Sequence, residues 1–136
     1  MKIEVNTNMA IKDLKKQFHD YFEFLKIEFF SKKHGYEESS NKKNIYEANT
    51  PLKTISSQIK DLVISFDDHT TVQAFEKKLY DTLGLNVQVF RKSGQVYIET
   101  SLTDAWTLSH QNSEGKLLSE LDVIEPTNAL DRDIWE

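Results

Sequence analysis

The sequence predicts an α+β fold, a two-layer sandwich in which helices pack on a sheet. Three observations lead to this prediction. The chain has 136 residues, a common size for one domain, and 38% of them are hydrophobic, which is enough for a core. Alternating apolar residues, typical of strands, are interrupted by stretches of helical spacing. The order strand, helix, strand also occurs twice, and the two copies align when Ile11 is matched with Val72.

The first copy begins at the amino terminus. Residues 1–5 alternate between polar and apolar and predict a short strand, and the polar run Asn6–Asn8 is expected to cap the helix that follows. Residues 25–30 alternate again and predict a second strand. The helix between the two strands is predicted by the following apolar residues on one face: Ile11, Leu14, Phe18, Tyr21 and Phe22.

The second copy repeats this order. Residues 62–66 predict a strand, the cap is expected at Asp68 or Thr70, and Gly84 is expected to end the helix. Residues 87–91 predict the next strand, and Ser93-Gly94 predicts a hairpin turn into a strand over residues 95–100. The helix of this copy is predicted by Val72, Phe75, Leu79 and Leu83.

Two such units side by side resemble the ferredoxin-like plan, an architectural likeness that carries no function. We expect right-handed crossovers between parallel strands and one continuous sheet, with both helices on one face. The predicted organisation is a single domain over residues 1–124, with repeat units at 1–35 and 62–94 and a mobile polar loop at 36–49. An acidic tail follows at 125–136.

The remaining apolar residues predict further short helices. Thr50-Pro51 is expected to start one, and Thr107 is expected to cap another that is interrupted near Gly115. A final amphipathic segment is predicted before Pro126 stops it. We expect this C-terminal part to cover the outer face of the sheet, because large apolar patches are seldom left open.

Charge and composition exclude several classes of protein. The net charge is −5, and all of it lies after residue 118, so the domain itself is neutral and lacks the charge of a protein that binds nucleic acid by bulk attraction. The chain has no cysteine, which excludes disulfides and thiol chemistry. No apolar run approaches the length of a membrane span. We expect a soluble, cytoplasmic protein with no cofactor and no metal.

One candidate site is a basic rim beside an aromatic row. The repeat places two basic turns at equivalent strand ends, where they are expected to lie on one rim and bind an anion. Strand alternation also places aromatic residues on the outer face of the sheet, where they could stack single-stranded bases. Binding of nucleic acid or a phosphorylated ligand is therefore the alternative function, through Phe30, Lys32, Lys33, Phe90, Arg91, Lys92 and Tyr97.

The only cluster that resembles a catalytic or metal site is Asp67-Asp68-His69. Its residues are better explained as the polar start of a helix, and no further ligands follow at metal-binding spacing. No motif of a known hydrolase or nucleotide-binding loop is present. We therefore expect no enzymatic activity and assign no catalytic residue.

The acidic tail is the remaining candidate. Leu130, Ile134 and Trp135 are spaced among acidic residues and could dock into the groove of a partner. The leading hypothesis is a small non-enzymatic protein-interaction module. Its partner would be another protein or a second copy of itself, bound through a sheet edge, the outer face or this tail.

The segment Val87–Gly94, followed by Trp106-Thr107-Leu108, resembles a group of small bacterial proteins of uncharacterised function. The resemblance covers the central and C-terminal third of the chain and, more loosely, residues 1–30. It implies a bacterial cytoplasmic origin and no activity, cofactor or substrate.

Overall fold

The computed structural model describes residues 1–31 and 44–124. Most of the predicted loop 36–49 and all of the predicted tail lie outside these residues. The helices and strands are β1 (Lys2–Val5), α1 (Ile11–Tyr21), β2 (Leu25–Phe30), β3 (Leu62–Ser65), α2 (Val72–Leu83), β4 (Asn86–Ser93), β5 (Val96–Glu99) and α3 (Leu108–Ile124).

The α+β class is confirmed, but the strands do not form the single sheet that we expected. Within the described residues, β1 pairs with β3 in one sheet, and β2, β4 and β5 form a second sheet in that order. Every pairing between these strands is antiparallel, so the expected parallel crossovers are wrong. At the outer edge of β1, side chains of α1 occupy the position that a further strand would need, so β2 cannot pair there.

The core lies between the two helices and the inner faces of both sheets. Phe18 of α1 and Phe75 of α2 are fully buried, and their ring centroids are 5.0 Å apart. Phe66, just after β3, packs against Phe75 with a centroid distance of 5.1 Å. The apolar faces that predicted α1 and α2 therefore pack against each other. Each helix face is buried by the other repeat unit, because a single unit could not cover it.

The helix ends differ in detail from the prediction. Thr71, rather than Asp68 or Thr70, caps α2, and its hydroxyl accepts a hydrogen bond from the Ala74 N–H. Ala10, rather than Asn6–Asn8, precedes α1, and the Asp13 carboxylate accepts from the Ala10 N–H at 2.9 Å. Gly84 ends α2 with a φ of 67°, as predicted.

The C-terminal part contains one continuous helix where we expected an interruption near Gly115. α3 runs through Gly115 without a break. A Cβ at this position would lie 2.9 Å from Phe24 Cβ and 3.2 Å from Arg91 Cγ, so a side chain would not fit there. Gly115 thus permits a close approach of α3 to the sheet. Arg91 lies opposite Leu25, so α3 contacts the face that carries Leu25 rather than the expected outer face.

Candidate functional site

The basic rim is only partly described. Lys32 and Lys33 lie outside the described residues, and Lys92 is half-buried. Arg91 donates a hydrogen bond to Gln111 Oε1 at 2.9 Å and lies 5.7 Å from the centroid of the Trp106 ring. Burial lowers the pKa of Arg91, and the nearby charge of Glu114 acts in the opposite direction. The Arg91 guanidinium is therefore packed beneath α3 instead of being presented to a ligand.

The aromatic row is enclosed. Phe30 is 2% exposed to solvent and Phe90 is 9% exposed, and Tyr97 is half-buried. Lys26 Nζ lies 4.8 Å from the centroid of the Tyr97 ring and 5.4 Å from that of the Phe90 ring. The protein's own lysine ammonium therefore makes cation–π contacts with both rings. Burial also raises the pKa of the Tyr97 hydroxyl. In this arrangement the row offers no open stacking platform for a base.

The cluster Asp67-Asp68-His69 forms a turn. Asp67 Oδ1 accepts a hydrogen bond from the His69 N–H at 2.8 Å, and the Asp67 N–H donates to Thr70 Oγ1 at 3.1 Å. These bonds are those of a polar turn ahead of a helix. In residues 1–31 and 44–124, no three His, Asp or Glu side chains are grouped so that they could hold a metal ion. The predicted docking residues Leu130, Ile134 and Trp135 lie outside the described residues.

The outer edge of β1 is closed by side chains of α1. The carbonyl of Met1 accepts from the Phe66 N–H, so the peptide groups of Lys2 and Glu4 must point away from β3. Gln17 meets both groups of Glu4, because its Oε1 accepts from the Glu4 N–H at 2.8 Å and its Nε2 donates to the Glu4 carbonyl at 2.9 Å. The Tyr21 hydroxyl does the same for Lys2, accepting at 3.3 Å and donating at 2.9 Å.

The outer edge of β3 is open. The same alternation directs the peptide groups of Val63 and Ser65 outward. Lys78 of α2 donates to the Ser65 carbonyl at 2.7 Å. In the described part of the chain, the N–H and C=O of Val63 and the N–H of Ser65 have no hydrogen-bond partner. Three strand-type groups are therefore available along this edge.

The side chains at this edge are accessible as well. Val63 is 51% exposed, a large value for a valine in a strand, and Ser65 is also exposed. On β5 the outward peptide groups of Tyr97 and Glu99 also have no hydrogen-bond partner among the described residues, but both residues are half-buried, whereas Val63 and Ser65 are exposed. At the edge of β2, the carbonyl of Phe29 accepts from the Tyr46 N–H. We define the β3 edge as residues 62–65 and their outward peptide groups.

The sequence analysis named a sheet edge as one possible interface but did not identify the β3 edge, because strand patterns do not reveal which edge a helix covers. The repeat contained a usable signal. Gln17 and Lys78 occupy equivalent positions of the two repeat units, and their acceptor carbonyls belong to Glu4 and Ser65, which are equivalent under the same alignment. An amide can donate and accept, whereas an ammonium can only donate. This difference satisfies both peptide groups of Glu4 but only the carbonyl of Ser65, while Tyr21 satisfies the remaining groups of β1 at Lys2.

A second feature that sequence analysis missed is the carboxyl group of Glu76. Its Oε2 accepts from the Val89 N–H at 2.9 Å, just beyond the end of β5, where Thr100 bonds only the Val89 carbonyl. Burial raises the pKa of Glu76 to about 8, the hydrogen bond from Val89 opposes this shift, and the charges of Asp104 and Glu99 reinforce it. Glu76 is therefore mostly protonated at neutral pH and completes the end of the sheet as a neutral group.

The chain matches no family model, no curated protein and no solved structure. No helix within the described ranges is both long enough and apolar enough to cross a bilayer. Any proposal about function therefore depends on the geometry of the edges.

Proposed function

We propose that this protein is a small non-enzymatic protein-interaction module that binds an extended segment of a partner polypeptide along the β3 edge. The observation that carries the proposal is the set of three peptide groups on Val63 and Ser65 that have no partner among residues 1–31 and 44–124. Strand addition to an open sheet edge is a common mode of peptide recognition, in which main-chain hydrogen bonds supply affinity and alternate side chains supply specificity.

The contrast between the two edges of this small sheet supports the proposal. A two-stranded sheet has two outer edges, and natural proteins usually protect such edges against unwanted pairing. Here Gln17 and Tyr21 protect β1 with four hydrogen bonds, whereas Lys78 provides only one bond for β3. A partner strand would therefore be directed to one side of the sheet.

The chemistry of the β3 edge defines the ligand class. An added strand would place alternate side chains next to Val63 and Ser65 on the exposed face, where β-branched or aromatic residues pack well. It would contain no proline at the positions that donate to the Val63 carbonyl. The resemblance to small bacterial proteins supports a bacterial cytoplasmic location for the proposed module.

A selection from a library of short displayed peptides tests the proposal. The selected peptides are expected to be rich in β-forming residues, and their binding should slow hydrogen exchange of the Val63 and Ser65 amides in the full chain. Val63→Pro removes an outward N–H without removing a bond to β1, so it should weaken binding at least about tenfold. The matched control Val63→Thr keeps the N–H and should bind normally.

Selected peptides that protect other amides, or that bind equally well to the proline variant, would contradict strand addition at this edge. Circular dichroism melts of both variants show whether each is folded, so that a loss of binding can be distinguished from a loss of structure. If the proline variant does not fold, Ser65→Pro replaces it, because the Ser65 N–H also points outward.

A further inference from the structure

We propose that the partner strand at the β3 edge is the β3 strand of a second copy of this chain, so that two molecules form one continuous four-stranded sheet in the order β1, β3, β3, β1. This inference rests on the proposed function and specifies its ligand. It is carried by the symmetry of the open groups and by the charges at the ends of the strand.

The open peptide groups are symmetric about Ile64. Val63 and Ser65 lie one residue to either side, so a twofold axis at Ile64 sets Val63 of one copy opposite Ser65 of the other. Each of these two pairs then forms two N–H···O=C bonds. All outward groups of both strands are used, including the Ser65 carbonyl once Lys78 is displaced. The edge is thus complementary to itself.

Neighbouring registers fit less well. A shift that centres the axis on Ser65 needs the Asp67 N–H, which already donates to Thr70 Oγ1. A shift that centres the axis on Val63 needs Asp61 in an extended conformation, but the chain bends at Asp61. The register centred on Ile64 is therefore the one that the local structure permits without rearrangement.

Charges at the ends of β3 agree with this register. Lys60, just before the bend at Asp61, and Asp68, in the turn after Phe66, are both exposed, and the axis places these opposite charges of the two copies at the same end of the paired strands. Asp61 faces Asp67 of the second copy, but the Asp67 carboxylate is turned toward its own loop, where it accepts from the His69 N–H. The exposed Val63 side chains of both copies lie on the same face of the enlarged sheet.

Lys78 controls access to this interface. Its ammonium satisfies one outward group of Ser65 and competes with the second copy for the carbonyl. A glutamine at this position would reproduce the arrangement that Gln17 makes with Glu4 and would occupy both outward peptide groups of Ser65 with an amide. A methionine would remove the same charge but leave all the outward groups open. This pair of substitutions separates the loss of charge from the closure of the edge.

Sedimentation velocity of the full chain over a range of concentrations is the test. The wild-type mass should rise from that of one chain toward that of two. Lys78→Gln should raise the dissociation constant at least about tenfold, whereas Lys78→Met should dimerise at least as tightly as the wild type. Lys60→Glu should weaken dimerisation about fivefold, and Lys60→Glu combined with Asp68→Lys should restore it.

The outcomes separate the two proposals. If the chain stays monomeric at every concentration but displayed peptides protect the Val63 and Ser65 amides, the proposed dimer is wrong. The proposal that a partner strand binds at the β3 edge would then still hold. Dimers that form equally well with Val63→Pro and Lys78→Gln would overturn the interface, because they would use another surface. Without dimers and without peptide binding, both proposals are wrong.

Discussion

The protonated carboxyl of Glu76 makes the stability of the fold depend on pH in a defined direction. Burial raises the pKa of Glu76 in the native state from 4.5 to about 8, and the charges of Asp104 and Glu99 add to this effect. Between these two values the unfolded chain binds fewer protons at residue 76 than the native chain does. Stability must therefore fall as the pH rises through this range.

The size of this loss of stability follows from the difference between the unfolded and native pKa values of Glu76. Each unit of pKa difference corresponds to about 1.36 kcal/mol, so the contribution that is fully present below pH 4.5 decreases by roughly 5 kcal/mol as the pH reaches 8. Such a loss is a large part of the total stability of a small domain, which is about 5–15 kcal/mol.

Glu76→Gln isolates this contribution. The amide is neutral at every pH, and its Oε1 can accept from the Val89 N–H as the carboxyl does. Urea melts followed by circular dichroism from pH 5 to pH 9 should show that the variant gains on the wild type by about 1.4 kcal/mol for each pH unit up to about pH 8, above which the difference levels off. Glu23→Gln, at an exposed position, controls for the loss of a negative charge. Parallel stability curves for Glu76→Gln and the wild type would refute a protonated Glu76.

Three further substitutions test the packing. Phe18→Ala removes a fully buried ring from the core and should lower the free energy of unfolding by about 3–5 kcal/mol, measured by urea denaturation. Gly115→Ala should destabilise by roughly 1–3 kcal/mol despite the higher helix propensity of alanine, because the new Cβ meets Phe24; an increased melting temperature would contradict this close approach. Gln17→Lys leaves the Glu4 N–H without its acceptor and should cost about 1 kcal/mol; it opens the β1 edge at Glu4 alone, since Tyr21 still bonds Lys2, and faster hydrogen exchange of the Glu4 amide would reveal this opening.

Sequence periodicity predicted most elements well because each pattern records which face of a segment is buried. The predicted bounds of β2 agree with the structure, and the apolar stripe of α2 spans that helix from Val72 to Leu83. Patterns failed where the outcome depended on distant groups. Gly115 interrupts a helix in isolation, but here it lets α3 approach Phe24. The cap of α2 moved to Thr71 because only its hydroxyl meets the Ala74 N–H.

The candidate site was harder to predict for the same reason. Alternation correctly placed Phe90 and Tyr97 on a common face, yet it could not reveal that Lys26 covers both rings. The expectation of a single sheet failed because alternation describes the faces of a strand and not its edges. Whether an edge pairs with a strand or with a side chain depends on residues such as Gln17, whose amide presents the same donor and acceptor as a peptide group.

The internal repeat is still a prediction. Under its alignment β1 and β3 are equivalent strands, so their edges can be compared position by position. Ile3 lies opposite Ile64, its counterpart in the second repeat unit, so β1 and β3 pair about a local twofold axis. A second copy added at the β3 edge would repeat the same kind of pairing about Ile64, on the other side of the strand. The residue at one sequence position then contributes to how far such pairing continues, together with Tyr21, which bonds Lys2. With glutamine at that position of α1 the sheet stops at β1, and with lysine at the equivalent position of α2 it can be extended at β3.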